Sequence, residues 1–155
     1  MLLANHFQNA YVTADLDAAL AVLAGQFGIA RQPRVVEARQ DFTSADGTGE
    51  GVLRIALIPI GRLVYEIIQP VSGNVRVYAE CVSPDRLLTL HHVAMRTDDI
   101  ESVRAQSAIH GRPVALEGAA AELDLRFIYV DARDTLGHYL EYVQAPDAFW
   151  GGRKA

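Results

Sequence analysis

Two stretches of this chain recur later in it. Displaced by 84 positions, QNAYVTADLD from Gln8 falls on HVAMRTDDIE from His92, so that Ala10, Thr13 and Asp15 meet Ala94, Thr97 and Asp99, and Leu16 and Asp17 meet Ile100 and Glu101. Displaced by 75, VYEIIQ from Val64 falls on YLEYVQ from Tyr139, which sets Glu66 against Glu141. Self-similarity at so long a spacing indicates two copies of one supersecondary unit, not a solenoid.

The local pattern of each copy is legible. Residues 6–13 read as a strand, and from Asp15 the apolar positions Leu16, Ala19, Leu20 and Leu23 follow a helical period. Asp15 is a natural N-cap and Gly28 a natural stop, which predicts a helix over 16–26. Strands follow at 33–42, 51–60 and 62–69, with Ser44–Gly49 as a turn-rich loop. The second half runs strand 90–97, helix 99–110, then strands near 113–117, 125–131 and 138–144. The expected fold is therefore α+β, with two tandem βαβββ modules. One domain over residues 1–155 comprises module 6–70, connector 71–89 with a single helical turn, module 90–145 and a tail 146–155. Phe149 and Trp150 in that tail are expected to pack back or to form a subunit contact.

Half of the 155 residues are apolar, enough for one substantial core. The net charge of −5 is scattered, with no block of like charge, which argues against nucleic acid or an anionic membrane as partner and for a small molecule. Cys81 is the single cysteine, so an intrachain disulfide is excluded, and a cytoplasmic location is expected. No apolar run approaches the roughly 18 residues needed to span a bilayer.

Chemistry concentrates at the repeated positions. On strands, Glu66 shares a face with Val64 and Ile68, and Glu141 with Tyr139 and Val143, so both carboxylates fall among apolar neighbours. A buried carboxylate without a partner is costly, and a cation would compensate it. The opening strands carry Gln8 and His92 at equivalent places, with His6 one pleat repeat before Gln8. Imidazole and carboxylate donors together suit one divalent ion among zinc, nickel, cobalt, manganese or iron, and the lack of thiolates argues against a structural zinc cage. Alternation turns His91 away from that face. The run Gly47–Gly51 lacks the lysine and hydroxyl of a phosphate loop and reads as a flexible rim.

The opening strand followed by Asp15-Leu16, the second opening His92-Val93-Ala94-Met95 with Asp99-Ile100, the segment Glu66-Ile67-Ile68-Gln69-Pro70 and the closing Tyr139-Leu140-Glu141-Tyr142 resemble the vicinal oxygen chelate superfamily. That superfamily includes glyoxalase I, methylmalonyl-CoA epimerase, bleomycin-resistance proteins and extradiol dioxygenases, and the likeness is greatest to the glyoxalase and epimerase branch. It implies a cup-shaped mixed sheet with helices outside and one metal held by His92, Glu141, Glu66 and a fourth ligand. His6 is favoured for that place on its chemistry, if a β-bulge shifts it into register, and Gln8 on its position.

It further implies a lyase, isomerase or epimerase that stabilises an enediolate during α-proton transfer on a carbonyl or acyl substrate. Glu141 or Glu66 would be the base, with Glu50 on the rim as a weaker candidate, and Ala10, Val12, Ala94 and Tyr139 would line the substrate cavity. Two rival readings keep the fold: an iron(II) dioxygenase using His6, His92 and Glu141, and a drug-binding protein without catalysis. A homodimer is expected by the same resemblance.

Overall fold

In the computed structural model, which describes residues 5–28 and 33–151, both halves show the βαβββ order. The first comprises β1 (His6–Val12), α1 (Leu16–Phe27), β2 (Val35–Ser44), β3 (Gly47–Ile60) and β4 (Leu63–Gly73). After the one-turn α2 (Arg76–Ala79), the second comprises β5 (Thr89–Arg96), α3 (Ile100–Ile109), β6 (Val114–Ala120), β7 (Leu125–Asp131), the one-turn α4 (Arg133–Leu136) and β8 (Tyr139–Gln144), with a 3-10 turn at Ala121–Leu123.

Several letters that repeat between the halves are helix caps. Asp15 and Asp99 accept at Oδ1 from the amides of Ala18 (3.0 Å) and Ser102 (2.9 Å). The hydroxyls of Thr13 and Thr97 accept from the amides of Asp15 (3.1 Å) and Asp99 (3.2 Å). Gln69 and Gln144 present Oε1 to the first helical amides, Leu16 at 3.2 Å and Ile100 at 3.0 Å. The last strand of each module thus satisfies an orphan donor of that module's own helix.

All eight strands close into one barrel, in the order β1-β4-β3-β2-β6-β7-β8-β5. Within each module the first and last strands pair in parallel, β1 with β4 and β5 with β8. The modules meet along two antiparallel seams, β1 with β5 and β2 with β6. The two long helices cover the outer surface: Leu16 and Ala19 pack on Ala56, Ile58 and Ile67, and Ile100 packs with Met95, Ile128, Val130 and Leu140. Inside, Phe42, Leu53, Ile68, Leu116, Phe127 and Tyr129 form a packed core with Tyr78, which the connector contributes from α2.

Strands β3, β4 and β6 run longer than the sequence pattern predicts. The turn between β2 and β3 is only Ala45–Asp46, and Gly47–Gly51 lies within β3, paired residue for residue with β2. Glycine serves here as space: a Cβ at Gly51 would enter the ring of Phe42, and one at Gly118 the ring of Phe127. The expected flexible rim is therefore sheet. Likewise β4 continues through Pro70, which pairs with Leu53, to Gly73, with a register shift between Val52 and Leu53 that leaves Val71 as the extra residue. In the tail, Trp150 packs back, edge-on to Phe7 at 5.0 Å, and donates from Nε1 to the Ala145 carbonyl at 3.1 Å. Among the described residues no helix is long and apolar enough to cross a membrane.

Candidate functional site

The β1–β5 seam sets Gln8 opposite Ala94 and Ala10 opposite His92. The parallel pairings set Ala10 beside Glu66 and Ala94 beside Glu141. Each long polar side chain thus has an alanine across from it on β1 or β5, an arrangement with approximate twofold symmetry that leaves room for the four polar ends to meet.

They do meet. His92 Nε2 lies 3.1 Å from Glu141 Oε2 and 3.5 Å from Glu66 Oε2. Gln8 donates from Nε2 to Glu66 Oε2 at 2.9 Å and stands 3.5 Å from His92 Nε2. His92 is fully buried, and the side chains of Glu66 and Glu141 are 15% and 9% exposed. Among the described residues no three or more His, Cys, Asp or Glu side chains stand as a formed metal cage; the cluster is held by hydrogen bonds centred on His92, and one member is an amide.

Burial pushes the Glu66 carboxyl up to about 7, with His92 acting to lower it and Glu141 to raise it further. The native protein therefore holds a proton that the unfolded chain releases above about pH 4.5. The contribution of Glu66 to the stability of the metal-free protein is expected to be greatest below that pH and to be lost as pH rises through 7. The loss is at most about 3 kcal/mol, and less to the extent that the carboxyl meets solvent. Urea denaturation across this window should show the decline in wild type and not in Glu66→Gln.

The structure brings Gln8, not His6, to the cluster. A bulge does fall between these residues on the β1–β5 seam, but His6 is exposed and its Nε2 bonds Asn9 Oδ1 at 2.8 Å and the Gln8 carbonyl at 3.1 Å. The two-histidine face of the dioxygenase reading is consequently not assembled. Glu50 is exposed on the outer side of β3, 3.9 Å from Arg39, so it too is remote from the cluster.

Ala10, Val12 and Tyr139 belong to the packed core, and Ala94 is fully buried. Tyr139 lines a cavity of about 510 Å³ with Val77, Glu80 and Arg133, and a larger one, of about 850 Å³, is lined by Phe7, Gln8, Leu57, Val64, Arg62 and Trp150 among others. Gln8 joins this cavity to the cluster. Among the described residues no acidic side chain lines it, and Arg62, exposed on the β3–β4 turn, and Arg96 bring positive charge to its wall.

His91 departs from the simple pleat. Ala10 pairs with His92 but Tyr11 pairs with Leu90, leaving His91 as an extra residue in the ladder. This irregularity buries His91 completely and brings its Nδ1 to 2.9 Å from His92 Nδ1. Regular alternation cannot show such a contact, because the extra residue resets which side chains share a face.

A comparison with curated proteins gives no match. Among solved structures, a hypothetical protein from Bacillus halodurans C-125 is similar with TM-score 0.60 and 14% identity, covering 92% of this chain and 94% of its own. Methylmalonyl-CoA epimerase from Mycobacterium tuberculosis matches with TM-score 0.54 and 14% identity, over 96% and 93% of the two chains. A Streptomyces coelicolor methylmalonyl-CoA epimerase variant in complex with 2-nitronate-propionyl-CoA matches with TM-score 0.59 and 18% identity, over 92% and 95%. These likenesses concern the fold. The family model described as Glyoxalase/Bleomycin resistance protein/Dioxygenase superfamily matches residues 7–129, most of the chain, and the protein belongs to that superfamily.

Proposed function

We propose that this protein is a divalent-metal-dependent lyase or isomerase of the glyoxalase and epimerase type, moving a proton next to the carbonyl of a small anionic acyl substrate. The observation that carries the reading is the convergence of Gln8, Glu66, His92 and Glu141 beside a cavity. Their donors fit a divalent ion: two carboxylates, an imidazole and an amide oxygen, without thiolate. The fit is also electrostatic, since burial disfavours the charge on Glu66 and a cation would relieve it. Such an ion, when bound, supplies positive charge against which negative charge on a substrate carbonyl oxygen can develop.

The chain's own groups do the remaining work. Glu66, which bonds the cavity-lining Gln8, is placed to take the α-proton and return it. Glu141, its counterpart in the second module, is the alternative base. Phe7, Leu57, Val64 and Trp150 offer apolar surface to an acyl chain and keep water from it. Arg62, which has no ion-pair partner among the described residues, is placed to hold the substrate's anionic group at the cavity wall. Arg62→Ala is expected to raise KM about tenfold with little change in kcat, which steady-state kinetics would check.

The deciding experiment combines metal analysis of untagged protein with deuterium uptake from D2O at the α-carbon of carboxylate-bearing acyl thioesters and hemithioacetals. Metal with exchange supports the proposal. Metal without exchange on any of these compounds removes the proton-transfer reading, and no metal even after reconstitution leaves a ligand-binding cup.

A further inference from the structure

His91 makes two hydrogen bonds, and their chemistry fixes the direction of both. Its Nε2 lies 3.0 Å from the Val77 carbonyl oxygen, which can only accept, so Nε2 carries a proton. His91 is fully buried, ringed by Tyr78 at 4.9 Å, Tyr139 at 5.0 Å and Tyr129 at 5.6 Å. Among the described residues no carboxylate lies within hydrogen-bonding distance of its ring, so nothing there would compensate a positive charge in this fully buried place. A neutral His91 with its proton on Nε2 presents a lone pair at Nδ1, and the atom facing that lone pair at 2.9 Å is His92 Nδ1. His92 must then be the donor.

From this geometry we infer that His91 is a positioning residue: it accepts the Nδ1 proton of His92 and thereby commits His92 Nε2 to the cluster with Gln8, Glu66 and Glu141. The chain of bonds runs from the connector through both histidines to the site. It begins at the backbone of α2, continues through a ring clamped nearly parallel to Tyr78, at an interplanar angle of 15°, and ends at the one nitrogen of His92 that can ligate a cation. Partners of this kind hold a ligating imidazole in the correct tautomer and orientation, and their loss commonly weakens metal binding about 10- to 100-fold. The role in metal binding rests on the function proposed above; the placement of the protons does not.

The test uses the full-length, metal-free protein labelled with 15N at histidine. Long-range 1H–15N correlation spectra should show a protonated Nδ1 on His92 and, on His91, a protonated Nε2 with a bare Nδ1. Zn2+ affinity, measured by competition with a chromophoric chelator, should fall about 10- to 100-fold in His91→Phe and recover most of the loss in His91→Gln, whose amide can still accept from His92. A wild-type spectrum with an unprotonated Nδ1 on His92 overturns the inference, and needs no variant to fold. So does a folded His91→Phe that binds Zn2+ like wild type. Failure of wild type to bind Zn2+ would count against the metal reading alone, because the spectrum decides the proton positions independently.

Discussion

On the function proposed above, His92→Ala and Glu141→Ala are each expected to abolish divalent-metal retention, lowering affinity more than about 100-fold, because each would remove a ligand of the ion and leave the remaining donors facing one another. The loss should be larger for His92→Ala. His92 Nε2 is the common neighbour of both carboxylates and of Gln8, so its removal disconnects the cluster, whereas Glu141→Ala leaves the Gln8–Glu66–His92 side in contact. Plasma mass spectrometry on dialysed protein measures this directly. Gln8→Ala and His6→Ala separate the two candidates for the fourth ligand: the former should weaken binding and the latter leave it unchanged. Metal loss in His6→Ala with retention in Gln8→Ala would overturn the placement of the site.

Gly73→Ala is expected to destabilise the protein by about 3 kcal/mol or more, which an urea melt would record as an earlier midpoint with little change in slope. Gly73 ends β4 at a φ of +78°, a conformation that charges an L-residue about 1–2 kcal/mol. Its missing Cβ also faces the Glu50 carbonyl oxygen at less than contact distance. That oxygen is held in place, since it accepts from the Asn74 amide at 2.8 Å, so the clash cannot be relieved by a side-chain rotation. A midpoint unchanged from wild type would mean that the junction of β4 with the connector is far more compliant than its packing indicates.

How much of this was legible beforehand depends on which interactions are local. The pairs Asp15 and Asp99, and Thr13 and Thr97, recur because each helix start needs the same orphan amides satisfied, and that need is written within a few residues. Glu66 and Glu141 stood out by the same repetition. Gly47–Gly51 misled because glycine signals a turn by its freedom, whereas at Gly51 the reason is the ring of Phe42 on the neighbouring strand. The choice between His6 and Gln8, and the inward placement of His91, turn on two bulges in the β1–β5 seam, at Phe7 and at His91. A bulge is a fact about pairing between distant segments, invisible to alternation counted along either one. The cavity was beyond reach for the same reason, since its wall draws on β1, β3, β4 and the tail together.

The seam between β1 and β5 has a further consequence for how such a chain can be divided. A cut anywhere in the connector would leave Gln8 and Glu66 on one fragment and His92 and Glu141 on the other, so neither fragment holds the whole cluster, and complementation of the two would have to rebuild both antiparallel junctions at once. Each half thus carries one pair of the cluster's four side chains, and their union in one polypeptide keeps the complementary pairs at high effective concentration.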